Sequence, residues 1–246
     1  MKGKRIVVTR AAHQAEEFSE KLVQRGAIPL LYPCIEFELP QDTSVIDAAL
    51  AGDFDWLIVT SATVVNVLEQ RCKALGIGQL QITHVAAVGS ASAKMVRERL
   101  NLNVSVMPEV FDGQSLVDAL PSLKGKTVFL PMSDRAGPAV WEQLVAQGAD
   151  VMGMTAYHNV MGRGGVDLPR LLGQQAVDAV TFTSPSTVEN CLIRLGDGAR
   201  YLKDVCIACI GPTTAMAAQS RGLSVTLIAD EHTIDGLIFE LERFFA

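Results

Sequence analysis

The second half of this chain repeats the first. Asp55-Trp56-Leu57-Ile58-Val59-Thr60-Ser61 returns as Asp178-Ala179-Val180-Thr181-Phe182-Thr183-Ser184, with 123 positions between Ser61 and Ser184. Val85–Ala93 returns as Ile207–Ala215, with 122 positions between Gly89 and Gly211. The opening Lys2-Gly3-Lys4-Arg5-Ile6-Val7-Val8 returns as Lys124-Gly125-Lys126-Thr127-Val128-Phe129-Leu130, and Leu22–Ala27 returns as Leu144–Ala149. A period of half a chain is too long for a solenoid, whose units run about 20 to 50 residues. It implies two related domains, with the cleft between them as the natural place for a ligand. At 246 residues, 49% of them hydrophobic, the chain has room for two separate cores.

Charge and patterning exclude several classes. The net charge of −6 speaks against a nucleic-acid surface, which needs a basic face. No apolar run approaches the roughly 18 residues of a membrane span. The basic start, Met1 to Arg5, is followed only by Ile6-Val7-Val8 before Thr9 and Arg10, too little for the apolar core of a signal peptide. The expectation is a cytoplasmic protein. Cysteines 34, 72, 191, 206 and 209 are odd in number and mostly flanked by apolar residues, as in a reducing compartment. Cys206 and Cys209 form a CxxC inside an apolar run, where a strand points the two thiols to opposite faces, so both read as core residues. The histidines (13, 84, 158 and 232) have no paired ligand spacing, so no metal is expected. Gly162-Arg163-Gly164-Gly165 follows no expected strand and reads as a flexible connector.

Short β-branched runs alternate with amphipathic stretches. This is the pattern of an α/β fold whose parallel sheets are covered by helices. Strands are expected at Arg5–Thr9, Trp56–Thr60, His84–Val88, Val104–Met107, Thr127–Leu130, Ala179–Thr183, Val205–Ile210 and Val225–Ile228. Helices are expected near 14–25, 63–75, 91–100, 114–120, 138–147, 186–194, 213–221 and 234–244. Tyr32–Leu39 and Met154–Val160 break the rhythm. They occupy equivalent places in the two halves, alternate in side-chain character and suggest a paired ribbon that joins the domains and could act as a hinge.

Ligands of open parallel sheets bind where the strands' carboxyl ends lead into helices. Six such turns are rich in Ser, Thr and Gly: Thr9-Arg10, Thr60–Thr63 with Ser61, Gly89–Ser92, Pro131–Arg135 with Ser133, Thr183–Ser186 with Ser184, and Gly211–Thr214 with Thr213. Helix N-termini carry unpaired N–H groups and partial positive charge, so this arrangement suits a ligand bearing several carboxylates or phosphates. The same hydroxyls suit capping: Ser61 and Ser184 as N-caps, Pro185 as first helical residue, Ser186 with Glu189 at capping-box spacing. No nucleophile–base pair, carboxylate dyad or metal set accompanies them. An enzyme built this way works by positioning and backbone electrostatics. The residues alone also allow a non-catalytic two-domain binder for a small polyanionic ligand. A glycosyltransferase-like enzyme fits less well, because no acidic pair stands in the turns.

Val8-Thr9-Arg10, Asp55–Ser61, Ala87-Val88-Gly89, Phe182–Val188 and Cys209–Ala215, with Tyr157 and Thr233–Leu237, resemble the uroporphyrinogen-III synthase family in order and spacing, from residue 5 to about 241. The resemblance implies a discontinuous first domain (1–33 plus 165–246), a second domain (41–153) and a two-stranded linker (34–40 and 154–164). It implies a cofactor-free lyase that closes hydroxymethylbilane, an octacarboxylate linear tetrapyrrole, to uroporphyrinogen III with loss of water and inversion of the last pyrrole. A transient handover from hydroxymethylbilane synthase and a monomeric state belong to the same expectation. Carried over by position, Tyr157 assists departure of the hydroxyl. Thr9, Arg10, Ser61, Ser92, Ser133, Ser184, Ser186, Thr213 and Thr214 are the substrate-binding candidates. Arg10 fits either a substrate carboxylate or a neighbouring acid. Ser92 stands where the family often has threonine. Met132 stands where relatives often carry arginine, which leaves the positive charge of that turn to Arg135.

Overall fold

The computed structural model describes all 246 residues, the side chain of His13 excepted. In chain order the elements are β1 (Arg5–Val8), α1 (Ala12–Gln24), β2 (Ile28–Leu31), β3 (Ile35–Glu38), α2 (Ser44–Leu50), β4 (Asp53–Val59), α3 (Ala62–Leu75), β5 (Gln81–Ala87), α4 (Ser90–Leu100), β6 (Val104–Val106), α5 (Gly113–Asp118), β7 (Thr127–Ser133), α6 (Ala139–Ala146), β8 (Asp150–Met161), α7 (Leu168–Gly173), β9 (Ala179–Phe182), α8 (Pro185–Leu195), β10 (Cys206–Cys209), α9 (Pro212–Ser220), β11 (Leu227–Ile228) and α10 (Ile234–Phe244). A 3₁₀ stretch, Gly196–Asp204, precedes β10. Each expected strand and helix is present with slightly moved ends. β2, α2, α7 and the 3₁₀ stretch were not anticipated. No helix is long and apolar enough, among the described residues, to cross a membrane.

The chain divides into two compact units, Met1–Glu36 with Val160–Ala246, and Phe37–Asn159. The first unit holds a five-stranded sheet in the order β11-β10-β9-β1-β2, every neighbouring pair parallel. The second holds a six-stranded sheet in the order β3-β8-β7-β4-β5-β6, parallel from β8 through β6. Under the sequence repeat β1 corresponds to β7, β9 to β4 and β10 to β5. The two sheets then have the same order, with β3 added beside β8. Each sheet therefore combines strands from both halves of the chain: β1 and β2 join strands of the second half, while β7 and β8 join strands of the first.

A repeated polar latch secures these joins. In the first unit the Asp178 carboxylate on the approach to β9 accepts the Arg5 N–H at 2.8 Å and lies 2.9 Å from Lys4 Nζ, both at the start of β1. In the second, Asp55 of β4 accepts the Thr127 N–H at 2.9 Å and lies 2.9 Å from Lys126 Nζ, at the start of β7. The turns beneath match too: Gly3 N–H donates to Gly26 O and Gly125 N–H to Gly148 O, both at 2.8 Å. Gly26 and Gly148 have φ of 80° and 83°, and a Cβ on either would lie 3.4 Å from the Cα of Lys2 or Lys124, so both positions favour glycine.

Burial on both faces explains why the strands read as unbroken apolar runs. Trp56, Ile58, Val128 and Leu130 face one side of the second sheet with Leu116 and Leu144, while Leu57, Val59, Val85 and Phe129 face the other with Val64 and Leu68. In the first unit Val7, Val180, Phe182, Ile207 and Cys209 face one side, and Ile6, Val8, Ala179, Cys206 and Ala208 the other. Cys206 and Cys209 thus point to opposite faces, and burial pushes their thiols up to about 11 and about 12.

Two expectations are corrected. Residues 162–165 follow β8 directly and form a held turn rather than a flexible connector. Gly162 N–H donates to Cys34 O at 3.1 Å, Arg194 donates to Gly164 O at 2.8 Å, and a Cβ on Gly162 or Gly165 would collide with the backbone of Pro33 or Leu31. The second extended stretch is also more than a ribbon. β3 and β8 are neighbours, but β8 begins at Asp150 and pairs with β7 from Asp150 to Tyr157, as a full strand of the sheet.

Candidate functional site

Parallel strands bring their carboxyl ends to one edge. In the first unit that edge collects Thr9-Arg10 after β1, Thr183–Ser186 after β9 and Gly211–Thr214 after β10. In the second it collects Ser61 after β4, Gly89–Ser92 after β5, and Ser133 and Tyr157 on β7 and β8.

The helices at these edges come in two kinds, and the repeat preserves both. α3 and α8 are closed by serines: Ser61 accepts the Val64 N–H and Ser184 the Thr187 N–H, each at 3.3 Å. At α8 the capping box is completed by Thr187, whose Oγ1 accepts the Ser184 N–H. The expected Ser186–Glu189 box is absent: Ser186 lies inside the first turn with its hydroxyl 3.0 Å from that of Ser184, and Glu189 pairs with Arg221 at 3.0 Å. α4 and α9 begin instead at Gly89 and Gly211, both in extended backbone and with no side-chain cap. Their first-turn N–H groups are open to a ligand. Pro212 has none, so at α9 the open amides begin with Thr213. Thr213 is exposed, whereas Thr214 is buried, as is Ser92 on α4.

Thr9 and Arg10 differ sharply. Thr9 is fully buried and its hydroxyl donates to Thr181 O at 2.6 Å, while Thr181 Oγ1 donates to Val7 O at 2.7 Å. These bonds stitch β1 to β9 and leave the Thr9 hydroxyl no free role. Arg10 is half-buried; its Nη2 donates to Gln14 Oε1 at a long 3.4 Å, and its Nε is buried without a hydrogen-bond partner. Burial lowers its pKa and the charge of Glu17 opposes the shift. A partly desolvated guanidinium that makes no ion pair among the described residues, with only the through-space charge of Glu17 acting on it, favours an incoming anion.

In the second unit one extra residue decides the geometry. Met152, Met154 and Ala156 alternate onto the face that carries Leu57 and Phe129, so regular alternation would turn Tyr157 to the opposite face. Between Met132 and Ser133 the register shifts: Met132 pairs with Thr155 and Ser133 with Tyr157. This bulge brings Tyr157 to the same face as Ala156. Its ring meets Phe37 edge-on at 5.2 Å, and its hydroxyl lies 3.3 Å from Ser61 Oγ. Ser61, Ser133 and Tyr157, expected separately, are thus brought together.

After the bulge, Asp134 ties the strand end. Its carboxylate accepts the Asn159 N–H at 2.9 Å and lies 3.3 Å from His158 Nδ1. Burial pushes its pKa up, but the Asn159 N–H and His158 outweigh it and the net shift is downward. Met132 packs with the Trp56 and Leu130 cluster, and Arg135 is exposed. Among the described residues no three His, Cys, Asp or Glu side chains are grouped to hold a metal. A groove of about 580 Å³ between α1 and α10 is lined by Lys21, Arg25, Asp235, Phe239 and Glu242 and contains none of these turn residues.

Two rings that the sequence reading left unassigned lie against the glycine caps, Phe111 at Gly89 and His232 at Gly211. The repeat carries only part of their signal: at the glycines' offset of 122 His232 corresponds to Val110, the neighbour of Phe111, so the rings stand in equivalent loops one position out of step.

Comparison with known proteins gives a consistent result. A family model described as uroporphyrinogen-III synthase HemD matches residues 16–238. A uroporphyrinogen-III synthase of Synechococcus elongatus is 32% identical over 98% of this chain and 96% of its own length. A putative uroporphyrinogen-III synthase of Methanothermobacter thermautotrophicus is 29% identical over 96% of each. Crystal structures of uroporphyrinogen-III synthases from Thermus thermophilus (TM-score 0.64, 21% identity, 99% of each chain) and Helicobacter pylori (TM-score 0.61, 18% identity, 99% of this chain and 100% of that one) share the fold.

Proposed function

The chain belongs to the uroporphyrinogen-III synthase family, and from that premise we propose how its residues carry out the family's hydro-lyase reaction. The substrate is hydroxymethylbilane. Its terminal pyrrole expels the hydroxyl as water once a proton is supplied, leaving an azafulvene. The substituted α carbon of the pyrrole at the other end of the chain attacks that methylene to give a spiro intermediate. Its bond to the neighbouring bridge then breaks, leaving a second azafulvene, and the free α carbon of the now inverted ring closes on that bridge and loses its proton. The bond electrons come from the pyrroles themselves. The protein holds the chain in the reactive shape and stabilises charge as it develops.

Tyr157 supplies the hydrogen bond or proton to the departing hydroxyl, with Ser61 as its neighbour. The observation that carries this assignment is the 3.3 Å pairing of the two hydroxyls at the end of β4. Ser61, Ser92 and Ser133 with the open end of α4 engage carboxylates from the second unit. Arg10, Ser184, Ser186, Thr213 and Thr214 with the open end of α9 engage them from the first. Thr9 fixes the turn that carries Arg10. Two sets of anion-binding turns match the demands of an octacarboxylate, and one chain supplies both, so the reading needs no second copy. Because free hydroxymethylbilane closes unaided to the type I isomer, rapid transfer from hydroxymethylbilane synthase fits the same scheme.

Tyr157→Phe keeps the ring against Phe37 and removes only the hydroxyl. Turnover should fall roughly 10²-fold, the lower range for general acid–base assistance, with the melting profile preserved. Unchanged turnover would remove Tyr157 from the chemistry.

A further inference from the structure

The residues assigned above address carboxylates and a leaving hydroxyl, yet the substrate of the proposed reaction is also four flat, electron-rich rings. We propose that Phe111 in one unit and His232 in the other lie against pyrrole faces of the bound tetrapyrrole and set its position over the turns. This rests on the synthase reading.

The argument begins with the two glycines. Gly89 and Gly211 have φ of −157° and −178°, extended backbone that any residue adopts, so conformation does not call for glycine. Space does. A Cβ on Gly89 would lie 3.3 Å from Phe111 Cγ, and one on Gly211 would lie 3.1 Å from His232 Cδ2. Each unit therefore keeps a ring close against the open end of one helix, at the edge where its sheet meets ligand.

Neither ring is a core residue. Phe111 is 58% exposed, beside Val110 at 61%, with Met107 of the same loop at 46%. Contiguous apolar surface of this kind commonly marks a contact site. His232 is exposed and has no hydrogen bond or ion pair among the described residues. Repeat-related loops thus bring two different rings to the same local place. Face or edge contact between a ring and a pyrrole needs only a flat π surface, which phenyl and imidazole both provide.

The test uses Phe111→Ala, His232→Ala and the double variant of the full chain, with Phe111→Tyr and His232→Phe as conservative partners. Hydroxymethylbilane conversion and isomer composition are followed together. A ring contact contributes roughly 2- to 10-fold in affinity. Each alanine should raise KM by that factor and the double variant by about the product, with kcat near wild type and type III product retained. The conservative variants should restore KM to within about twofold. Inhibition by 1,2,3,4-butanetetracarboxylate, which has carboxylates but no ring, should be unchanged in every variant. An unaltered KM in the alanine variants would overturn the proposal. So would His232→Phe as poor as His232→Ala, or a weakened response to the ringless carboxylate. Absence of type III product from the wild-type chain would instead overturn the synthase reading beneath it.

Discussion

Tyr157 and Asp55 show how much a single position decides. Tyr157 reaches Ser61 because Ala156 is skipped in the pairing with β7, between Thr155 and Tyr157. Without that bulge its ring would turn to the Trp56 side of the sheet. Asp55 binds two strands from different halves of the chain, and the Thr127 N–H, aided by Lys126, holds its carboxyl at about 2, below the ordinary value of 3.8. Asp178 is also lowered: burial raises it, but the Arg5 N–H and Lys4 prevail. A depressed carboxylate favours the folded state above its unfolded pKa, and that contribution disappears as pH falls through the folded value. Asp55→Asn should therefore be less stable at neutral pH and show a flatter loss of stability between about pH 4 and 2. Denaturant unfolding across that range measures it. A variant as acid-sensitive as wild type would place the titration elsewhere.

At the scale of elements, the division between serine-closed and glycine-open helices makes a separable prediction. Ser184 closes α8, whereas Ser186 stands within its first turn. Ser184→Ala should lower stability by about 1 kcal/mol and Ser186→Ala by appreciably less, as measured by urea unfolding. Equal losses would contradict the observed cap. Ser184 was legible as the cap, with Pro185 as first helical residue; only the Ser186–Glu189 box misled, because a sequence does not show that Glu189 reaches Arg221 instead. Central strands such as β4 and β9 were legible for a physical reason: both faces are buried along Trp56–Val59 and Ala179–Phe182, so those runs are apolar but for Thr181. β2 was not, being a short edge strand interrupted by Pro29, and α2 and α7 are too short for a helical period to emerge. The bulge beside Tyr157 was hidden because register belongs to a pair of strands rather than to either sequence.

At the scale of the molecule, duplication accounts for the architecture and, on the proposed reading, for the chemistry. The repeated strings predict equivalent strands, and the two sheets do share one order. Which half supplies each strand depends on long-range pairing, such as β1 with β9 and β7 with β4, that the strings do not encode. The same duplication provides serine-closed and glycine-open turns twice over, while Tyr157 and Arg10 are present once each and make the two units unequal. Under the proposed function, an arrangement of this kind directs a reactive, highly carboxylated chain by holding it. The most direct test of that claim is the isomer composition of product formed from hydroxymethylbilane generated in situ from porphobilinogen and its deaminase, then oxidised and separated. Without this protein the substrate closes uninverted to the type I isomer. With it the product should be predominantly type III; type I alone in both reactions would contradict the account.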